Sequence, residues 1–269
     1  MVEAIHQELP YFFPITFFAF GLLFGSFANV VILRMPAGES FVAPRSRCPK
    51  CGHLIRFYEN IPVISWLFLR GKCSNCKTPI SPRYPFVEML MGLLFTALYL
   101  KVGLSWTLLE YIVFGFSLVV VSFIDLDHMI LPDKFTLSGI VIGLLGAVLN
   151  PERDVWDAFF GVLFGGGFLY AIAFIYFAIR KRDGMGGGDI KLLGWIGAIL
   201  GWKAMPFVIL MSSVVGAFVG VSVSLKNKAG LKSSIPFGPY LASAALIYIL
   251  FGEEIGAWYI QAFIPSIGQ

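Results

Sequence analysis

Gly184-Met185-Gly186-Gly187-Gly188-Asp189-Ile190-Lys191 separates two long apolar runs. Four glycines in five residues work against a helix, and an acid and a base follow at once. On either side the chain is oily. Hydrophobic residues make up 58% of it and charged residues 13%, where a soluble domain carries roughly 25% charged. With a mean hydropathy of +0.81, a water-soluble globule is excluded. The 27 Phe residues suit a lipid-facing surface better than a compact core. Loose backbone and an ionisable carboxylate therefore share one spot in a membrane-embedded chain.

Eight apolar runs approach the length needed to cross a bilayer as helices, about 17–25 residues. They cover residues 11–33, 86–103, 106–124, 135–150, 155–179, 189–202, 205–224 and 237–252. The runs at 135–150, 189–202 and 237–252 are short. The fold class expected is an all-α polytopic membrane protein of about eight transmembrane helices with a small zinc-binding cytoplasmic insertion. Residues 1–33 hold the first transmembrane helix, 34–85 the insertion, 86–252 the helical bundle and 253–269 a short tail. The first run reads as a permanent span, since no basic stretch precedes it and no small-residue cleavage site follows.

Basic residues set the orientation. With an outside amino terminus, the inside loops receive all of the 20 Lys and Arg except Lys101, Arg153 and Lys203. The net charge of +4 thus marks the inner membrane face, not nucleic-acid binding. Glycine pairs at 21/25, 139/143, 161/165, 197/201 and 216/220 have the spacing that lets helices approach closely, and helix packing is their reading.

All four cysteines lie in the insertion, as Cys48-Pro49-Lys50-Cys51 and Cys73-Ser74-Asn75-Cys76. Two CxxC pairs can wrap four thiolates around one zinc ion. A disulfide or redox pair is the competing reading, but disulfides belong to oxidising compartments and this loop is expected in the cytosol. Four sulfurs close the shell, so the zinc would be structural. Gly52 follows the first pair where a knuckle needs a flexible residue, and His53 reads as a surface residue. The insertion's nine basic residues outnumber Glu39 and Glu59. They suit anionic membrane lipid or an acidic ligand as well as they suit a solvated loop.

Most acids lie outside the runs or near their ends. Asp125 ends the third run and Asp189 opens the sixth, so alternating topology puts both at the cytoplasmic edge and at one depth. Paired carboxylates at close range hold one proton between them. The charged one can take a proton from water as the water attacks a carbonyl, and the protonated one can polarise that carbonyl. Asp127, one residue beyond Leu126, rivals Asp125 for this role. Asp133 and Asp183 read as solvated loop residues. From the residues alone, proteolysis, proton-coupled transport and structural pairing all stay open, as does a docking role for the cysteine loop.

The motifs, taken in order, resemble the type IV prepilin peptidases, bifunctional leader peptidase/N-methyltransferases of bacterial inner membranes. The resemblance rests on Gly25-Ser26-Phe27-Ala28-Asn29 through Arg34, Cys48-Pro49-Lys50-Cys51-Gly52, Asn60-Ile61-Pro62-Val63, Arg70-Gly71-Lys72-Cys73 and Arg83-Tyr84-Pro85 with Glu88. It continues through Asp125-Leu126-Asp127, Pro132-Asp133, Gly186-Gly187-Gly188-Asp189-Ile190-Lys191 and Pro236-Phe237-Gly238-Pro239. It implies that Asp125 and Asp189 are catalytic aspartates, with Gly186 and Gly188 completing a GxGD motif. It implies prepilin and pseudopilin substrates, cut at the cytoplasmic membrane face. It further implies methylation of the new amino terminus with S-adenosylmethionine, an activity it places with the amino-terminal part. No GxGxxG follows a strand, so a Rossmann-type donor site has no support. Asn29, Arg34, Glu88 and Lys191 are the candidate residues for that site.

Overall fold

The computed structural model describes residues 8–43, 45–182, 186–227 and 235–263. Gly184 and Met185 of the glycine stretch, Asp183, and the basic Lys228 and Lys232 lie outside the described residues, as does the end of the expected tail. The chain forms two compact units, residues 1–120 and 121–269. Among the described residues the structure is helical, with two isolated bridges, Arg47 to Leu54 and Lys72 to Pro79.

The first unit holds α1 (Phe12–Arg34), the short α2 (Ile64–Phe68), α3 (Arg83–Val102) and most of α4 (Trp106–His128). Helices α1 and α3 pack through glycine. A Cβ on Gly25 would lie 2.5 Å from Glu88 Cα, and one on Gly21 would strike the Met91 carbonyl. The spacing read from sequence is therefore a backbone-to-backbone seam. Asn29 closes it by donating to Gly25 O at 3.2 Å and Tyr84 O at 3.1 Å.

The second unit continues with the end of α4, then α5 (Asp133–Leu149), α6 (Val155–Arg180), α7 (Gly187–Leu200), α8 (Met205–Asn227) and α9 (Gly238–Phe263). Its centre is α7, where every residue from Leu192 to Ile199 is buried. A helix apolar on all sides is one wrapped by neighbours. Gly139 of α5 faces the Trp195 ring, and Gly143 faces Ala198. Gly161 and Gly165 of α6 lie against the backbone of Gly197 and Leu193. Gly216 is looser, with Tyr240 at 3.3 Å from where its Cβ would sit.

All eight apolar runs are helices. Six of them are long and apolar enough to cross a membrane: α1, α3, α4, α6, α9 and the segment Trp202–Leu225 that contains α8. The other two, α5 and α7, have 17 and 14 residues, or about 25 and 21 Å at 1.5 Å per residue. Each falls short of a hydrocarbon core of about 30 Å. Many large apolar side chains on the longer helices are exposed, Phe20, Phe164, Phe174 and Phe218 among them, as lipid-facing surfaces require. The expected tail from residue 253 differs, because α9 runs on through Glu253 and Glu254 to Phe263.

Candidate active site

Asp125 occupies the last turn of α4, which extends past residue 124 to His128. The helix stops because Met129 adopts φ 55 and donates its N–H to Asp125 O at 2.8 Å, a left-handed cap. That turn aims Asp125 inward, where it is 5% exposed. Its Oδ2 accepts the Gly238 N–H at 3.0 Å from the first residue of α9. Asp127, its rival in sequence, is exposed. The two aspartates are thus sorted by helical geometry, which a spacing of two residues could not do.

Asp189 lies in the first turn of α7, which begins at Gly187. Two of the glycines are therefore helical, because α7 is held by its neighbours rather than by propensity. Gly186, the residue before the helix, is extended at φ −68, ψ 133, so no left-handed turn explains the motif here. Space does. A Cβ on Gly188 would lie 2.9 Å from Leu131 Cβ, and one on Gly238 would lie 3.0 Å from Leu131 Cδ2 and 2.7 Å from Asp125 Oδ2. Leu131 thus touches the glycine preceding one aspartate and the glycine bonded to the other. Through these contacts the end of α4 that carries Asp125 and the start of α7 that carries Asp189 are set beside one residue. Behind them, Lys191 Nζ meets Asp133 Oδ1 at 2.7 Å and ties the start of α7 to the start of α5.

Among the described residues, a Cβ on Gly187 would meet nothing within 4 Å. Beside it a cavity of about 480 Å³ is lined by Tyr170, Ala173, Phe174 and Phe177 of α6 with Gly186, Gly187 and Ile190. The aromatic side chains of α6 give this cavity an apolar wall beside the glycines that precede Asp189.

In the first unit, the four cysteine sulfurs lie within 4.8 Å of one another, with Cys48 to Cys76 at 3.8 Å and Cys51 to Cys73 at 4.0 Å. Zn–S bonds of about 2.3 Å in a tetrahedron put sulfurs about 3.8 Å apart, so the cluster fits that ion. The two knuckles match: Gly52 N donates to Cys48 O and Lys77 N to Cys73 O, with φ of 70 and 57 at these two residues. The hydroxyl and backbone of Thr78 hold the Cys76 thiol down to about 6, which favours the thiolate that binds metal. His53 bonds Glu59 at 3.2 Å instead of joining the cluster. The Arg56 N–H and the Ser74 hydroxyl draw the Glu59 carboxyl down to about 2.

The residues considered for a methyl-donor site are divided. Asn29 and Glu88 share the α1–α3 seam, where Glu88 Oε2 accepts the Val63 N–H at 2.7 Å and pins a valine at φ 62. Arg34 donates to Ser40 O at 2.9 Å. Lys191 belongs to the second unit and pairs with Asp133. The first three hold backbone, so no donor cradle follows from them. Sequence reasoning had quoted Gly238 only as part of a motif and had not singled out Leu131. A glycine between aromatic and proline just before an apolar run was the available signal for the former.

A family model described as Bacterial Peptidase A24 N-terminal domain matches residues 19–102, and one described as Type IV leader peptidase family matches residues 112–221. The chain is 40% identical over 288 residues to a prepilin leader peptidase/N-methyltransferase of Aeromonas hydrophila, covering 98% of this chain and 99% of that one. It is 40% identical over 279 residues to that of Stutzerimonas stutzeri, covering 94% and 95%. The protein of this name from Pseudomonas aeruginosa is 39% identical over 264 residues, covering 90% and 91%. No solved structure matches. With both domain models in order along the chain and relatives aligned almost end to end, this protein belongs to the type IV leader peptidase family.

Proposed function

We propose that the chain is a membrane-embedded aspartic endopeptidase that removes the leader of prepilins and pseudopilins and then methylates the new amino terminus. Asp125 and Asp189 activate water against the scissile peptide bond. The Gly186–Gly187 edge admits an extended stretch of substrate, and the aromatic face of α6 receives its apolar part. A helical substrate must unwind locally, because its carbonyls are otherwise engaged. The observation that carries this reading is that Leu131 lies against both Gly188, which precedes Asp189, and Gly238, whose N–H holds Asp125. S-adenosylmethionine supplies the methyl group. Cys48, Cys51, Cys73 and Cys76 would hold one zinc ion that folds the insertion. The positive-inside pattern supports an inner-membrane protein with both termini outside and its aspartates at the cytoplasmic face.

The experiment is cleavage of a prepilin-like reporter in membranes with labelled S-adenosylmethionine present. Asp125→Ala and Asp189→Ala are expected to lower cleavage by about 10³-fold or more, the scale of losing an acid–base group. Methylation of a pre-cut substrate should persist, and Asp127→Ala should cleave normally. Cleavage surviving both of the first two changes would remove the protease site from this loop.

A further inference from the structure

The two carboxylates are held unequally. Asp125 is buried and its Oδ2 receives the Gly238 N–H at 3.0 Å. Among the described residues, Asp189 receives no comparable donor. A hydrogen bond from an N–H favours the charged form of a carboxylate, and two carboxylates at short range do not both ionise. Among the described residues, the other ionisable groups nearby do not reverse this. Lys191 and Asp133 face each other at 2.7 Å, Asp127 and His128 on α4 are exposed, and Leu131 carries no charge. From α9, it is the Gly238 amide that reaches Asp125.

We propose that Asp125 works as the ionised base and Asp189 as the protonated acid, an asymmetry set by Gly238 as a positioning residue. This rests on the aspartic-peptidase reading. In the first step, Asp125 takes a proton from water and the water oxygen bonds to the carbonyl carbon. The carbonyl oxygen takes the proton from Asp189, giving a neutral gem-diol. In the second, Asp125 returns its proton to the amide nitrogen, the C–N bond breaks, and a diol hydroxyl proton restores Asp189. The peptide and one water become an acid and an amine, and both aspartates end as they began.

Gly238 cannot be replaced quietly. A Cβ there would lie 2.7 Å from Asp125 Oδ2 and 3.0 Å from Leu131 Cδ2, so any side chain pushes on both.

The test is a small aryl-ether epoxide applied to the full-length parent enzyme in detergent. The ionised carboxylate attacks an epoxide carbon, the C–O bond opens, and the protonated partner supplies the proton to the new hydroxyl. Mass spectrometry then locates the ester. An ester on Asp125 is the expected result. An ester on Asp189 overturns the assignment while leaving the aspartate pair in place. An ester on neither residue, after an exposure that inactivates pepsin, overturns the pair as well. A second measurement is the pH profile of Gly238→Ala. Its kcat should fall about 10²-fold, the scale of a 1 Å misplacement. The acid limb of its kcat/KM profile should move up by about one pH unit as the amide contact loosens. A reduced amplitude with an unmoved limb would mean that Gly238 only packs, and would overturn its positioning role.

Discussion

The thiols of the first unit and the carboxylates of the second are assembled by opposite means. The insertion buries few apolar side chains, and its four sulfurs converge because two matched knuckles fold back on themselves. A metal is the natural source of its stability. The carboxylates are positioned by packing: α7, which carries Asp189, lies nearly backbone to backbone on α6 through Gly161, Gly165 and Gly197, and Gly188 seats it against the Leu131 side chain. One site is closed from within by a ligand set. The other is held from outside by packing, with an apolar cavity beside Gly186 and Gly187. The difference teaches that metal removal and core crowding should disable different halves of this chain.

Crowding should have the largest effect. Gly197→Leu would drive a side chain into the Gly161 backbone, where overpacking costs at least about 1–3 kcal/mol. Thermal stability in detergent should fall and cleavage should vanish, while bound zinc per chain stays constant. If cleavage persisted, the claim that packing builds the carboxylate site would fail.

Metal removal comes next and should act the other way. If the cluster holds the proposed zinc, chelation, or Cys48→Ser with Cys51→Ser, should release it and open residues 45–80 to protease, with cleavage retained and methylation lost. Elemental analysis, limited digestion and the two activities read this together. A parallel loss of cleavage would show that the two halves are not independent.

A smaller effect is expected where the contrast is weakest, at the half-exposed Lys191–Asp133 pair. Such pairs contribute about 0–1 kcal/mol. Lys191→Ala or Asp133→Ala should slow cleavage a few-fold, and the charge-swapped double variant should recover part of it.

The smallest effect lies beside the metal. Glu59 is held at about 2, against an ordinary 4.5. Its folded value is depressed, so its contribution is fully present above about pH 4.5 and is lost as pH falls toward 2. Relative to the Glu59→Gln variant, the parent's amide at Arg56 should exchange more slowly near neutral pH, with the gap closing over that window.

Much of this was legible because it depends on local spacing. CxxC pairs place sulfurs within reach of one ion wherever the chain goes next. Apolar run length marks helices. What stayed hidden depends on partners. Hydropathy cannot distinguish α7, wrapped in protein, from a span facing lipid, since both are apolar on every side. The glycines before Asp189 looked like a flexible turn, yet Gly188 is small because Leu131 occupies the space beside it. Asp125 and Asp127 differ only in which side of the last turn of α4 they occupy. Gly238 acts through its backbone N–H, which every residue but proline carries, so composition gives it no mark.

The pairing of α6 with α7 has a geometric result. Gly166 lies against Gly194 Cα and Ile190 O, and from there α6 continues to Arg180 while α7 reaches back only to its start at Gly187. At 1.5 Å per residue α6 runs on for about 21 Å and α7 for about 4.5–10.5 Å, so the long helix outruns the short one by about 10–16 Å. Phe174 and Phe177 stand on that stretch. Asp189 is therefore at the foot of a wall whose top carries Arg180. On the proposed peptidase reading, a chain gripped at the top would run about three to five extended residues down it, at roughly 3.3 Å each, before a peptide bond meets the carboxylates. The fold is a ruler as well as a blade, and lengthening or trimming α6 by one turn would move its mark.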